Sequence, residues 1–177
     1  MGPRVSVRAK VRAAVQSYLD PSASNIDNLG HVYAHPAKFT PEGDFYDNTD
    51  PGHTTGAVIY IYIGRQSERR AALGGAHDGR KVTELEVVLD CFVRSTSPSA
   101  VDAGLAADTF LDQLVDRIRA DRNAGNPSLI LQWGEGTFPG ATDIAVEALY
   151  PKTLLGSAQV SQVYATVRTT VVTVEAT

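Results

Sequence analysis

Two apolar runs set the limits on what this chain can fold into. The first, Ala57-Val58-Ile59-Tyr60-Ile61-Tyr62-Ile63, and the second, Val82 to Arg94, are rich in β-branched and aromatic residues, which suit a pleated, half-buried surface. A basic connection containing Gly74, Gly75 and Gly79 separates them, so they read as two paired strands joined by a long hairpin linker at 64–81. Successive side chains of a strand point to opposite faces. Leu85, Val87, Leu89, Cys91 and Val93 therefore share one face of the second strand, and Glu84, Glu86 and Asp90 share the other. Such a sheet has one side for a core and one side for water, or for something wet.

The flanking segments supply the cover for the apolar side. From Arg4 to Leu19, Val7, Val11, Ala14, Val15 and Tyr18 recur at helical spacing, with Arg4, Arg8, Lys10 and Arg12 on the remaining positions. Asp20-Pro21 stops this helix, because proline pushes the residue before it out of the helical region. Pro21 to Gly30 is polar and turn-forming, and Gly30 to Ala34 reads as a short strand. A second stripe, Ala107, Phe110, Leu111, Leu114, Val115 and Ile118, predicts a central helix, with acids at its start and arginines at its end as the helix dipole favours. Its stripe is expected to pack on the Leu85 to Val93 face. Leu129 to Trp133 reads as a strand, and Asp143 to Tyr150 with Ala158 to Val174 as a terminal strand pair. Along the last strand Val163, Val167 and Val171 share a face, and Gln162, Tyr164, Arg168 and Thr170 the other. The order predicts an α+β fold over 1–177: one antiparallel β-sheet with an N-terminal helix and one central amphipathic helix packed on one face.

The stretch 35–56 has no periodicity and is rich in proline and acidic residues, with Phe39, Phe45 and Tyr46 its only large apolar side chains. Connections of that length are uncommon in compact domains and tend to carry function. Its aromatics are candidates for anchors on a neighbouring subunit, or for side chains that tuck back onto their own sheet.

The chemistry that the residues allow is limited. With 177 residues and 43% hydrophobic content, one domain can bury a sizeable core. A net charge of -4 provides no overall basic field for a phosphate backbone. The single cysteine, Cys91, lies among apolar residues of a strand and reads as a core residue. No apolar run approaches the ~20 residues of a membrane span, and Met1 to Lys10 lacks the apolar segment of a signal peptide, so the expectation is assembly in a cytoplasm. His31 and His35 would stand about 13 Å apart in a strand, too far to share a zinc ion. His53 and His77 are isolated. Gly74 to Lys81 has arginine, Arg80, where a phosphate-binding loop needs lysine, and it lacks the following Ser or Thr and the helix of such a loop; Gly134 to Gly140 has proline where a dinucleotide fingerprint needs its third glycine. Glu84 and Glu86 share a strand face with no apolar pocket evident to shift either pKa. No catalytic, metal-binding or cofactor-binding residue is assigned, and an enzyme is not expected.

Several segments together resemble the tail terminator family of long-tailed bacteriophages, especially those infecting actinobacteria. They are Gly30 to Tyr33, Lys38 to Phe45, Leu73 to His77, Leu89 to Arg94, Arg119 to Gly125, Gln132 to Gly136 and Ser157 to Tyr164, spread over nearly the whole chain. The resemblance implies an α+β subunit of a homohexameric ring on the last ring of the tail tube. There it would end tube polymerisation and provide the joint to the head-tail connector or head-closure protein, in the virion at the head-proximal end of the tail. DNA would pass through the lumen without specific binding, and neither cofactor nor membrane is involved. On this view Glu84, Glu86 and Asp90 line the lumen, where an acidic wall keeps DNA from sticking. Arg65, Arg69, Arg70, Arg80 and Lys81 contact adjacent subunits or rings, as do the aromatics of 35–56. The competing reading is another neck component, a head-closure or connector protein on the portal side.

Overall fold

The computed structural model describes residues 6–36, 55–70, 80–95, 100–121, 132–133, 144–149 and 161–176. Helix α1, Val7–Leu19, buries Val11, Ala14, Val15, Tyr18 and Leu19, the stripe expected from its 3.6-residue period. It ends at Asp20, whose ψ of 135° is extended. Instead of a plain turn, a one-turn helix α2, Pro21–Ser24, follows. Proline at its first position costs no hydrogen bond, and the Asp20 carboxylate accepts from the Ser22 backbone N–H at 3.0 Å and from the Ser22 hydroxyl at 2.5 Å. These bonds lower the Asp20 pKa.

The strands are β1 (Leu29–Tyr33), β2 (Thr55–Arg70), β3 (Arg80–Ser95), β4 (Gln132–Trp133), β5 (Ala145–Leu149) and β6 (Ser161–Ala176), with helix α3 (Ala100–Ala120) between β3 and β4. They form one sheet in the order β1-β2-β3-β6-β4, and β5 also pairs with β6. The expected α+β fold with an N-terminal and a central helix is what the chain adopts. One edge differs from an all-antiparallel sheet: β1 runs parallel to β2, Val32 opposite Ile59 and Tyr33 opposite Tyr60. Parallel neighbours need a long crossover. Residues 34–54 are long enough to make it.

The hairpin linker expected at 64–81 is much shorter than that. Strand β2 runs on to Arg70 and β3 begins at Arg80, so only 71–79 separates them. The ladder is a backbone property and continues after the side chains turn polar, with cross-strand ion pairs Lys81–Glu68 at 2.5 Å and Arg69–Glu84 at 3.6 Å. On its other side β3 pairs with β6 over its full length, Arg80 opposite Ala176 to Ser95 opposite Ser161.

One residue too many sits in β2. Ile63 is opposite Val87, but Gln66 is opposite Leu85, so Gly64 and Arg65 together face Glu86 in a β-bulge. At this break the Ile63 carbonyl accepts from the Arg8 guanidinium of α1 at 2.7 Å. The bulge inverts the alternation: before it the odd-numbered residues Ile59, Ile61 and Ile63 lie on the side that the helices cover, and after it the even-numbered Gln66 and Glu68, both exposed, lie on that same side.

The core lies between α1, α3 and one face of the sheet. Ala103, Ala107, Phe110, Leu111, Leu114 and Ile118 of α3 are buried in one cluster with Leu85 to Val93 of β3 and Val163, Ala165, Val167 and Val171 of β6. Each fully buried Leu, Ile or Val side chain contributes about 1.5–3 kcal/mol. Cys91 belongs to this cluster, and burial pushes its thiol pKa far up, the Asp90 charge adding to the effect. The helices are tied together at Arg117, whose guanidinium lies 4.0 Å over the Tyr18 ring. It donates to the Tyr18 carbonyl at 3.2 Å and the Ala23 carbonyl at 3.0 Å, while the Tyr18 hydroxyl donates to the Arg117 carbonyl at 2.7 Å. Gln16 of α1 donates to the Val32 carbonyl at 2.8 Å, covering part of the β1 edge.

Candidate interaction surface

With both long helices on one side, the other side of the sheet is built from side chains of β1, β2, β3 and β6 at alternating positions. Glu84, Glu86 and Asp90 all fall on this side, as their period of two requires. The ladder brings residues distant in sequence next to them: Asp90 is opposite Tyr60 on β2 and Thr166 on β6, and Glu86 is opposite Thr170.

The three acids do not have the same surroundings. Glu84 pairs with Arg69, and Glu86 with Arg168 of β6 at 3.5 Å. Both pairs are partly exposed, so each contributes little to stability, but each cancels a charge. Gly64 leaves room for the Glu86 carboxylate in its present position: a Cβ there would lie 2.6 Å from Glu86 Oε2. Asp90 instead lies in a hydroxyl cluster: Tyr164 donates to it at 2.9 Å, and the Thr166 hydroxyl lies 3.2 Å from it and 3.0 Å from the Tyr164 hydroxyl. Burial pushes the phenols of Tyr62 and Tyr164 above their ordinary pKa, and the Asp90 carboxylate adds to the shift in both.

Around Asp90 runs an aromatic strip that crosses four strands. His31 stacks on Tyr33 with centroids 5.6 Å apart, Tyr33 on Tyr60 at 5.2 Å, Tyr60 meets Phe92 edge-on at 5.8 Å, and Phe92 lies 5.1 Å from Tyr164. His35 closes on Tyr33 at 5.3 Å. Offset and edge-on pairs of this kind contribute about 0.5–1.5 kcal/mol each beyond the area they bury. Tyr60, at 3% exposure, forms the floor, with Val58 buried beside it and Tyr33 and Phe92 half-buried on either side. The two histidines bracket Tyr33, His31 stacked on it and His35 tilted against it. Among the described residues no group of three or more His, Cys, Asp or Glu is placed to hold a metal ion.

The sequence alone does not indicate this strip. The visible signal is alternation: Tyr60 and Tyr62, Phe92 and Tyr164 occupy every-other positions opposite to the aliphatic set. Their convergence depends on the register.

Of the expected contact residues, Arg65 is exposed at the bulge, and Arg69 and Lys81 are strand residues engaged with Glu84 and Glu68. Arg70 and Arg80 also stand in paired strand, opposite Lys81 and Ala176. These five are therefore not linker residues; they belong to a charged extension of the sheet. Phe39, Phe45 and Tyr46 lie outside the described residues. Among the described residues no helix is long and apolar enough to cross a membrane. No protein-family model matches the chain, and no curated protein matches it.

Proposed function

We propose that the chain is a structural subunit of a virion neck: a tail terminator that closes into a homohexameric ring at the head-proximal end of a phage tail tube. In this role it ends tube polymerisation and offers the joint to the head connector, and it catalyses no reaction. The observation that carries the reading is the division of the sheet into two sides, one sealed by α1 and α3, the other free of those helices and running on into a charged three-strand extension. A ring subunit needs such separate surfaces, one to hold its own shape and others to meet neighbours. The resemblance spread along the chain supplies the specific assignment.

Within the ring, Glu84, Glu86 and Asp90 face the lumen, and Arg65, Arg69 and Lys81 lie where neighbouring subunits or rings would meet the extension. The test is electron microscopy of particles from a phage lacking this protein. Overlong tubes without heads support the terminator role. Tubes of normal length beside leaking heads would replace it with a head-closure or connector role on the portal side. Native mass spectrometry of the purified chain tests the hexamer directly.

A further inference from the structure

The charges on the helix-free side do not balance evenly. Arg69 answers Glu84 and Arg168 answers Glu86, whereas among the described residues no cation lies within ion-pair distance of Asp90. Its neighbours are hydroxyls and rings: the Tyr164 and Thr166 hydroxyls lie on it, its charge reaches the Tyr62 phenol, Tyr60 lies directly across, and Phe92 is two residues along the same strand. Asp90, Tyr62, Phe92 and Tyr164 are each half-buried, so the group is reachable from solvent.

We propose that this group is a subsite for a guanidinium, the side chain of an arginine carried by a partner protein segment. Three arguments converge on that ligand. The hydroxyls of Tyr164 and Thr166 help hold the carboxylate in one orientation. A carboxylate has about four acceptor positions, and the Tyr164 and Thr166 hydroxyls both lie on Oδ1, so acceptor capacity remains for an incoming N–H. The Phe92 and Tyr164 rings, 5.1 Å apart, stand on the same face beside Asp90, and a planar, weakly hydrated guanidinium is the cation best suited to lie against rings while donating to a carboxylate. A phosphate or another anion would be repelled by Asp90. The inference concerns what this face binds and stands whether or not the chain is a tail component.

The test uses the purified full chain and N-acetyl-arginine N-methylamide as the probe, titrated into the millimolar range while Tyr and Phe ring resonances are followed by NMR. The expected result is saturable shifts at Tyr62, Phe92 and Tyr164, with the neutral isostere N-acetyl-citrulline N-methylamide giving none. Asp90→Asn keeps a carbonyl oxygen for Tyr164 and Thr166 and should weaken the arginine probe at least tenfold. Equal shifts with the citrulline probe, shifts confined to other parts of the surface, or unchanged affinity in D90N would each overturn the proposal. The citrulline comparison is made on the native chain, so the proposal remains testable if D90N does not fold.

Discussion

Replacing Arg117 by methionine should loosen the two helices from each other by an amount that can be worked out from its contacts. The guanidinium donates to the carbonyls of Tyr18 and Ala23, the last turns of α1 and α2, where helix carbonyls lack partners of their own. Two hydrogen bonds from a charged donor contribute about 3–6 kcal/mol together. The contact with the Tyr18 ring adds about 0.5–2 kcal/mol. Against this, Arg117 Nε is buried without a partner among the described residues, a penalty of about 1–3 kcal/mol that methionine removes. The stem packing is largely kept, so the net loss expected for R117M is about 2–4 kcal/mol. With a urea slope near 2 kcal/mol/M, that lowers the unfolding midpoint by about 1–2 M. Tyr18→Phe removes the hydroxyl that donates to the Arg117 carbonyl and should cost about 1 kcal/mol. A double-mutant cycle of R117M with Tyr18→Leu isolates the ring contact, with an expected coupling of about 1 kcal/mol. A loss below about 0.5 kcal/mol for R117M would show that the helices are held by their apolar stripes alone, and the reasoning would fail.

Other perturbations probe the core, the buried thiol and the bulge. Leu114→Ala, at a fully buried position of the α3 stripe, should cost about 2–5 kcal/mol in chemical denaturation, and a loss under about 1 kcal/mol would contradict the burial. Cys91 should resist thiol reagents in the folded chain and react at the rate of global opening, so fast labelling under native conditions would contradict its place in the core. The pKa values of Cys91, Tyr18, Tyr62 and Tyr164 are all raised on folding, so the unfolded chain releases these protons first. Their contribution is complete below the ordinary thiol value of 9.0 and declines as pH rises past it, which urea midpoints between pH 8 and 11 should show; a flat profile would refute it. Gly64→Ala should displace the flexible Glu86 carboxylate and break its pair with Arg168 at a cost of about 1 kcal/mol or less. Adding Arg168→Ala should then cost nothing more, and a further loss would show that the pair had survived.

The parts of this structure that were legible in the sequence are those set by local periodicity. A period of two placed Leu85 to Val93 on one face and Glu84, Glu86 and Asp90 on the other, and a period of 3.6 marked the stripes of α1 and α3 that cover the first face. Strand length was not legible beyond Ile63, because the backbone ladder to Arg70 and Arg80 carries charged side chains that read as loop. The parallel pairing of β1 depends on where the chain returns after a long connection, and no side-chain pattern encodes that. The aromatic strip and the Arg168–Glu86 pair were hidden for a related reason. Tyr60, Phe92 and Tyr164 meet only through two ladder registers, and a shift of one residue in either would have separated them.

The extra residue at Gly64-Arg65 also bears on how this strand can change its length. Taking one residue out of Val58 to Ile63 would exchange inside for outside over part of β2, exposing isoleucines and turning tyrosines toward the core. Taking out Arg65 would merely straighten the ribbon, because Ile63 and Gln66 already sit across from Val87 and Leu85. The kink is thus the one place where the strand could shorten by a codon while every other side chain stays on its present side.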